Sequence, residues 1–469
     1  MTISSPPALT IPPPLERPYV CELPADLLTP VAAYLRLREL GPGFLLESIE
    51  RGQQVGRYSF LAAGCTLRTV PAGGGFADLR ALLDLHAGLD RSGLPPFAGG
   101  IVGHLVYDEV AAFEPSVPLP AARPDDPVRA SRFLEVPVVV AFDHVRARLY
   151  VVAVPGSESL ADEYVARLLG PQPAGGEPVS AVPRSSTLAL TSPEEYVDMV
   201  RVAQRHIRAG DIFQVVPSQR HVRSTPRSPF AVYRALRSVN PSPYMFFVDF
   251  GHAEGQAALV GASPETHVSL DAERVAALKP IAGSRPRGAT PAQDDDLARE
   301  LASDEKERAE HLMLVDLARN DLSRVCVAGS VRPVQLLETE RYSHIMHLVS
   351  RVEGTLAADH DAFSLLEATF PAGTVSGAPK VRAMQIITSL EERRRGAYAG
   401  AVGYVGYDGS LDTCIALRTI VMRDGAAVLQ AGAGIVADSV PESEHHECMA
   451  KIAALSAAID LADEGVYGA

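Results

Sequence analysis

Glu307 with Glu310, and again Glu444 with Glu447, are carboxylates set three residues apart. On a helix that spacing puts both members of a pair on one face, and two such faces turned together could hold a hard divalent cation among oxygen ligands. The second pair follows A-G-A-G-I-V (431–436), where Gly432 and Gly434 let backbone approach a ligand closely and offer bare N–H groups to an anion. An anion cradle beside an acidic face suits a carboxylate or phosphate substrate held through Mg²⁺. The plainer alternative is a turn and an exposed helix whose Glu447 pairs with Lys451 at i+4. For the first pair, the alternative is an acidic first turn that complements the helix dipole. That explains Asp304 and Glu305 better than Glu310.

Four further groups could carry chemistry. The loop Phe370–Lys380 (F-P-A-G-T-V-S-G-A-P-K) enters a helix, so Thr374, Ser376 and the N–H groups near Ala378 either bind an anion or form a plain cap. Lys279–Gly288 is a second glycine-containing loop, with Gly283 and Ser284 beside Lys279, Arg285 and Arg287. Tyr342–His347 carries two histidines, a residue type more often structural than catalytic when it stands alone. Arg418 lies in an otherwise apolar run (C-I-A-L-R-T-I-V). A strand arginine there needs an anion, from either a protein or a substrate carboxylate.

These groups need elements to hold them. Ser192 followed by Pro193, Glu194 and Glu195 starts a helix that should stop at Gly210. Other helices are expected at 27–40, 76–89, 304–319 (capped by Ser303, with Leu314, Val315 and Leu317 inward), 363–368, 378–394 and 443–463. Strands are expected at 136–142, 149–154, 212–216, 244–250, 257–261, 275–278, 401–407, 412–422 and 427–431. A Pro/Gly/Ser-rich linker at 170–186 divides an N-terminal region (1–185) from a second unit (186–469). There is no strict βαβ alternation, so a mixed α+β or layered α/β body is expected rather than a dinucleotide-binding fold.

The 469 residues, 47% hydrophobic and 21% charged, are ordinary for a globular protein with a large core. A formal net charge of −14 without any Lys/Arg block argues against nucleic acid. Five scattered cysteines without a C-x-x-C pair fit a reducing compartment and argue against structural zinc or disulfides. The N-terminal run lacks the regions of a secretory signal, and no apolar stretch approaches the ~20 residues of a membrane span. A cytoplasmic protein with no membrane association is the expectation.

Taken together, G-D-I-F-Q-V-V (210–216), N-P-S-P-Y-M-F-F (240–247), S-P-E-T (263–266), K-P-I-A-G-S-R-P-R-G (279–288), D-E-K-E-R-A-E-H-L-M-L-V-D-L-A-R-N-D (304–321), Y-S-H-I-M-H-L-V-S (342–350), G-T-V-S-G-A-P-K (373–380) and A-G-A-G-I-V (431–436) closely resemble the chorismate-utilising enzymes, and within them the anthranilate synthase component I branch. The likeness covers nearly all of 190–460 and reaches L-L-E-S (45–48) and G-R-Y-S-F (56–60). It implies an α/β body of the α+β type, with two large, mostly antiparallel sheets layered among surrounding helices. Chorismate and Mg²⁺ are expected between them.

Carried over position by position, the resemblance makes Glu310 and Glu447 the Mg²⁺ ligands, with Glu307 and Glu444 around them. Gly283, Ser284, Tyr398, Arg418 and the Gly432–Ala433–Gly434 backbone become chorismate contacts. Thr374 and His347 line the pocket, and Glu265 is the general acid for the departing C4 hydroxyl. The family usually has Thr at Ser284 and Arg at Lys279, and both exchanges keep the hydroxyl or the charge. Gln214 stands where isochorismate-forming relatives carry a lysine that activates water, and an amide cannot be that base. Ala282 stands where 4-amino-4-deoxychorismate synthases carry a lysine nucleophile. Amination at C2 and pyruvate loss to give anthranilate is therefore the implied activity. A 2-amino-2-deoxyisochorismate synthase is the nearest alternative and a 4-amino-4-deoxychorismate synthase component I a further one, while a tryptophan-sensing pseudoenzyme subunit is a non-catalytic one. Ammonia is expected from a separate glutamine amidotransferase subunit in a hetero-oligomer. Glu47, Ser48, Pro243, Tyr244 and Met245 resemble the family's L-tryptophan feedback site, with Cys414, on the same expected strand as Arg418, as a link between the sites.

Overall fold

The computed structural model describes residues 16–48, 56–71, 73–126, 128–171, 180–251, 257–342 and 345–467. Two large sheets dominate, and every strand pairing among the described residues is antiparallel. The first sheet has 11 strands, in the order Tyr19–Pro24, Arg148–Ala153, Val138–Asp143, Tyr58–Ala63, Gly43–Glu47, Tyr244–Asp249, Ala258–Ser263, Thr419–Arg423, Ala426–Gly432, Ser218–Ser224 and Thr187–Ala189. The second has 10, running Ile281–Pro286, Ile345–Thr355, Val275–Leu278, Thr266–Leu270, Leu411–Ile415, Ala401–Gly406, Gly100–Leu105, Ser131–Val136 and Thr66–Val70, with Arg332–Arg341 also on Ile345–Thr355. Strands from either side of residue 185 enter both sheets, and one apolar core joins Phe44, Leu45 and Val140 to Phe246, Ile420 and Leu455.

Local sequence explains the elements. Val138–Asp143 is buried along its whole length, as a strand covered on both faces must be. The helix Pro193–Arg208 opens with a capping box. Ser192 accepts from the Glu195 N–H, and the Glu195 carboxylate accepts from the Ser192 N–H. The acidic helix runs Glu305–Ser323, and its cap is Asp304 rather than Ser303. The Asp304 carboxylate accepts from the N–H groups of Lys306 and Glu307, while the Ser303 hydroxyl donates back to the Glu300 carbonyl and closes the helix Pro291–Ser303.

Two expected single strands are in fact pairs that change sheet. The stretch expected at 136–142 splits at Pro137, with Ser131–Val136 in the second sheet and Val138–Asp143 in the first. The stretch expected at 412–422 splits the same way into Leu411–Ile415 and Thr419–Arg423. The break is at Arg418, whose φ of +47° no strand tolerates. Arg418 is therefore in a crossover and not in a strand, and Cys414 is in the other sheet rather than on a strand shared with it.

No helix among the described residues is long and apolar enough to cross a membrane.

Candidate active site

Two of the residues singled out by chemistry, Glu265 and Arg418, sit where the chain passes between the sheets. Ala258–Ser263 belongs to the first sheet and Thr266–Leu270 to the second, so Glu265 lies in the step between them. The Arg418 crossover runs beside it. The Arg418 carbonyl accepts from the Ala262 N–H at 3.1 Å, and the Glu265 carbonyl accepts from the Ile415 N–H at 3.0 Å. Ser263 Oγ bonds the Ile415 carbonyl at 2.6 Å and ties the two steps together. A non-glycine residue at positive φ costs on the order of 1 kcal/mol, and both Arg418 and Ala399, next to Tyr398, are held that way.

The acidic helices come from opposite sides. Glu305–Ser323 packs on the Ile281–Pro286 and Ile345–Thr355 strands of the second sheet, and Pro441–Asp463 packs on Ala426–Gly432 of the first. Their acidic faces share one space, because Lys306 lies close enough to draw down the pKa of both Glu310 and Glu444. Burial, then the Glu307 charge, raises the Glu310 pKa. Burial also raises that of Glu444, with Glu447 adding to it. Glu307 meets Arg285 at 3.3 Å. Glu447 is exposed and pairs with Lys451 at 2.8 Å, so the plain i+4 pairing is present in this state. Lys451 Nζ also donates to the Gly432 carbonyl at 2.9 Å, which joins the acidic face to the glycine run.

Among the described residues, no three carboxylate, imidazole or thiol groups converge tightly enough to hold an ion alone. Mg²⁺ does not require that, since it accepts one or two carboxylates and fills its octahedron with water and substrate oxygens. The all-oxygen donor set of Glu310 and Glu447, with two more carboxylates nearby, fits that demand.

The glycines are set against functional side chains. A Cβ on Gly432 would come within 2.6 Å of the Pro217 carbonyl and 2.8 Å of the Tyr398 hydroxyl, and one on Gly434 within 2.6 Å of Gln214 Nε2. Buried Ala433 lies between them. Gln214 is buried and reaches Glu310 Oε1 at a long 3.4 Å, leaving its own Oε1 without a partner. Gly283 adopts φ +72°, and a Cβ there would meet Glu307 Oε2 at 2.9 Å. Ser284 follows it, exposed, opposite His347 in the sheet register. His347 Nδ1 faces the Gly283 carbonyl at 3.0 Å. That carbonyl can only accept, so the proton is on Nδ1 and Nε2 is left with its lone pair. Burial lowers the His347 pKa and Arg418 lowers it further. The Arg418 guanidinium makes no hydrogen bond or ion pair among the described residues, and burial lowers its pKa.

Glu265 carries the largest shift of the candidate acids. Burial raises its pKa from 4.5 to about 7, with Thr374 opposing. The Thr374 hydroxyl is buried and lies beside that carboxyl without completing a hydrogen bond of ordinary geometry.

Arg395 is central to the site and stands in a charge run that reads as solvated surface. It is buried between the rings of Tyr107 and Tyr398, 4.7 and 5.5 Å from their centroids. It donates to Glu391 at 2.6 Å, to the Val375 carbonyl at 2.8 Å and to the Val216 carbonyl at 2.6 Å. One guanidinium thus fixes Tyr398, the Thr374 loop and the segment after Gln214. Nothing in the local spacing of Arg393, Arg394 and Arg395 marks the third as the buried one.

The residues expected at a feedback site are also neighbours. Met245 pairs with Glu47 across two strands, and the Tyr244 hydroxyl reaches Asp412 Oδ1 at 3.0 Å and Thr266 Oγ1 at 2.9 Å. Cys414 pairs with Thr266. Partly buried Pro243 precedes Tyr244, and the Ser48 hydroxyl is buried without a partner among the described residues. The Glu47 carboxylate is engaged by the Tyr233 hydroxyl at 2.6 Å and by Arg237 at 2.9 Å.

Residues 72–457 match the sequence profile of a family described as chorismate binding enzyme. The chain belongs to that family. Among its relatives, anthranilate synthase component 1 of Thermus thermophilus is 47% identical, the match covering 96% of this chain and 99% of that one. The protein of the same name from Aquifex aeolicus is 42% identical over 95% of each. Among solved structures, anthranilate synthase component I from Streptococcus pneumoniae superposes with a TM-score of 0.77 at 33% identity, covering 92% of this chain and 99% of that one. The isochorismate synthase MenF of Escherichia coli shares the fold, with a TM-score of 0.71 at 20% identity over 95% of both chains. Within the chorismate binding enzymes, then, this chain stands with the component I proteins.

Proposed function

We propose that the chain is the large subunit of an anthranilate synthase, converting chorismate and ammonia to anthranilate, pyruvate and water. The observation that carries this reading is the contrast between two side chains of one site. Glu265 is a half-buried residue whose enclosed carboxyl is poised near pH 7, while the residue beside Glu310 is the amide Gln214. The first can donate a proton, whereas the second cannot take one from water. A nucleophile that needs no activating base, such as ammonia, suits that pair.

Chorismate is a dianion. Glu310 and Glu447 would hold Mg²⁺, with Glu307 and Glu444 around it; bound there, it neutralises the ring carboxylate and withdraws electron density from the ring. Arg418, which has no hydrogen-bond or ion-pair partner for its guanidinium among the described residues, would take the enolpyruvyl carboxylate together with the Tyr398 hydroxyl and the N–H groups of the 432–434 run. Gly283 and Ser284 would close the other side. Ammonia then adds at C2, the ring double bonds shift, and the C4 hydroxyl leaves as water with the proton of Glu265. His347 Nε2 would take the C2 proton as the enolpyruvyl group departs as pyruvate and the ring becomes aromatic.

Ammonia would come from a separate glutamine amidotransferase subunit, in a cytoplasmic hetero-oligomer of two chains of each kind. L-Tryptophan would bind among Glu47, Ser48, Pro243, Tyr244, Met245 and Cys414. Because Glu47 is already paired, the ligand's ammonium would share that carboxylate with Arg237. Coupling to catalysis would run through the Tyr244–Thr266 bond, one residue from Glu265.

The test is the purified chain with chorismate, Mg²⁺ and ammonium above pH 8, followed by anthranilate fluorescence. Turnover should appear and should vanish with a chelator. Isochorismate or an aminodeoxychorismate in place of anthranilate would refute the assignment.

A further inference from the structure

Beside Glu265 lies a cavity of about 50 Å³ whose lining includes Glu265, Thr374, His267, Lys279, Ala318 and Asp321 and no residue of the 431–436 glycine run. One water needs roughly 10–15 Å³ of such space and two or more polar partners, so a few waters fit. The lining supplies those partners. The Thr374 hydroxyl is buried and without a hydrogen-bond partner among the described residues, and half-buried Glu265 lines the same space. In the lining, Asp321 pairs with Lys380 at 2.7 Å, and Lys380 also donates to the Thr369 carbonyl at 3.0 Å. Lys279 of the same lining, 28% exposed, pairs with Glu340 at 2.8 Å, which brings the lining to the protein surface.

We infer that this cavity holds the water that returns a proton to Glu265 after each turnover. The inference rests on the reading of Glu265 as the acid for the departing hydroxyl. That step breaks the C4–O bond and releases water, leaving the carboxylate. A hydronium proton delivered through the cavity restores the acid, matching the proton that the newly attached ammonium gives up to solvent. A buried acid without such a path would be reloaded only when the substrate cleft empties. The other titratable groups facing the cavity do not replace the water. Burial holds the His267 pKa at about 3, so its ring stays neutral, and Asp321 and Lys380 are committed to each other.

The experiment narrows the cavity without touching Glu265. Ala318, on the Glu305–Ser323 helix, is changed to Val, and half-buried Leu317 to Phe as an independent plug. Ala318→Ser keeps room for water. Ammonia-dependent anthranilate formation is measured in H₂O and D₂O. In both plugged variants kcat should fall about ten-fold, part of the hundred-fold or more that a general acid supplies. The chorismate KM should stay within about two-fold of the parent. The solvent isotope effect on kcat should rise, and Ala318→Ser should behave as the parent. Folded variants with parental kcat and isotope effect would overturn the inference and leave the proposed activity standing. A parent chain that forms no anthranilate would overturn both.

Discussion

Glu265→Gln separates the acid role of this residue from a structural one, because the two appear in different measurements. Burial displaces the carboxyl from 4.5 to about 7, and at about 1.4 kcal/mol per pH unit that is worth roughly 3 kcal/mol. The direction follows from proton binding. Between pH 4.5 and 7 the folded chain holds a proton on Glu265 that the unfolded chain has lost, so stability falls as pH rises through this window. Above pH 7 the buried carboxylate burdens the fold by the full amount, and below pH 4.5 by nothing. A neutral amide of the same shape removes that burden. Glu265→Gln should therefore be more stable than the parent by up to about 3 kcal/mol at pH 8, with the difference shrinking toward zero near pH 4.5. Urea unfolding at the two pH values measures it. The same variant should lose about 10²- to 10⁴-fold in kcat, with the chorismate KM little changed, since an amide cannot donate the proton. At fixed free ammonia the parent's kcat should decline above pH 7, and the variant's should not. An identical stability difference at both pH values, or a variant with parental kcat, would refute the reasoning.

Three further outcomes are expected. Arg418→Ala removes a guanidinium unpaired among the described residues and should raise the chorismate KM roughly 30- to 150-fold, the equivalent of about 2–3 kcal/mol of charge-assisted bonding, while thermal unfolding shows the apo fold unharmed. Gln214→Lys puts an ammonium within reach of Glu310, and anthranilate fluorescence should show ammonia-dependent turnover reduced more than about ten-fold, with a raised Mg²⁺ requirement. Arg395→Met breaks the buried pair with Glu391 and should cost about 3–5 kcal/mol in chemical denaturation.

The chemistry of this chain was legible from its residues to an unusual depth at some points and not at all at others. Gln214 and Glu265 stood out only through the resemblance to a family, whereas the paired glutamates and the 431–436 glycine run could be singled out locally, because side-chain type and backbone freedom are properties of the residue itself. The helix starts at Ser192 and near Asp304 were legible for the same reason, to within one residue. The strand-like run at 412–422 was not, because hydrophobic pattern cannot show that a chain leaves one sheet and enters another. That change depends on the single left-handed residue Arg418. Many of the strands before residue 185 escaped notice too, since their partners lie far along the chain, as Gly43–Glu47 does against Tyr244–Asp249.

What the sequence determined alone is the inventory: carboxylates in i, i+3 pairs, an amide at 214, a carboxyl at 265, and glycines able to admit a ligand. Tertiary structure decided their state and their company. It enclosed the Glu265 carboxyl and so moved its pKa, left the Arg418 guanidinium without a partner among the described residues, and brought acidic helices from two different sheets to one space. It also placed Arg395 among Tyr398, Val375 and Val216. Burial and long-range pairing set these outcomes, and both are properties of the folded whole that no window of sequence contains.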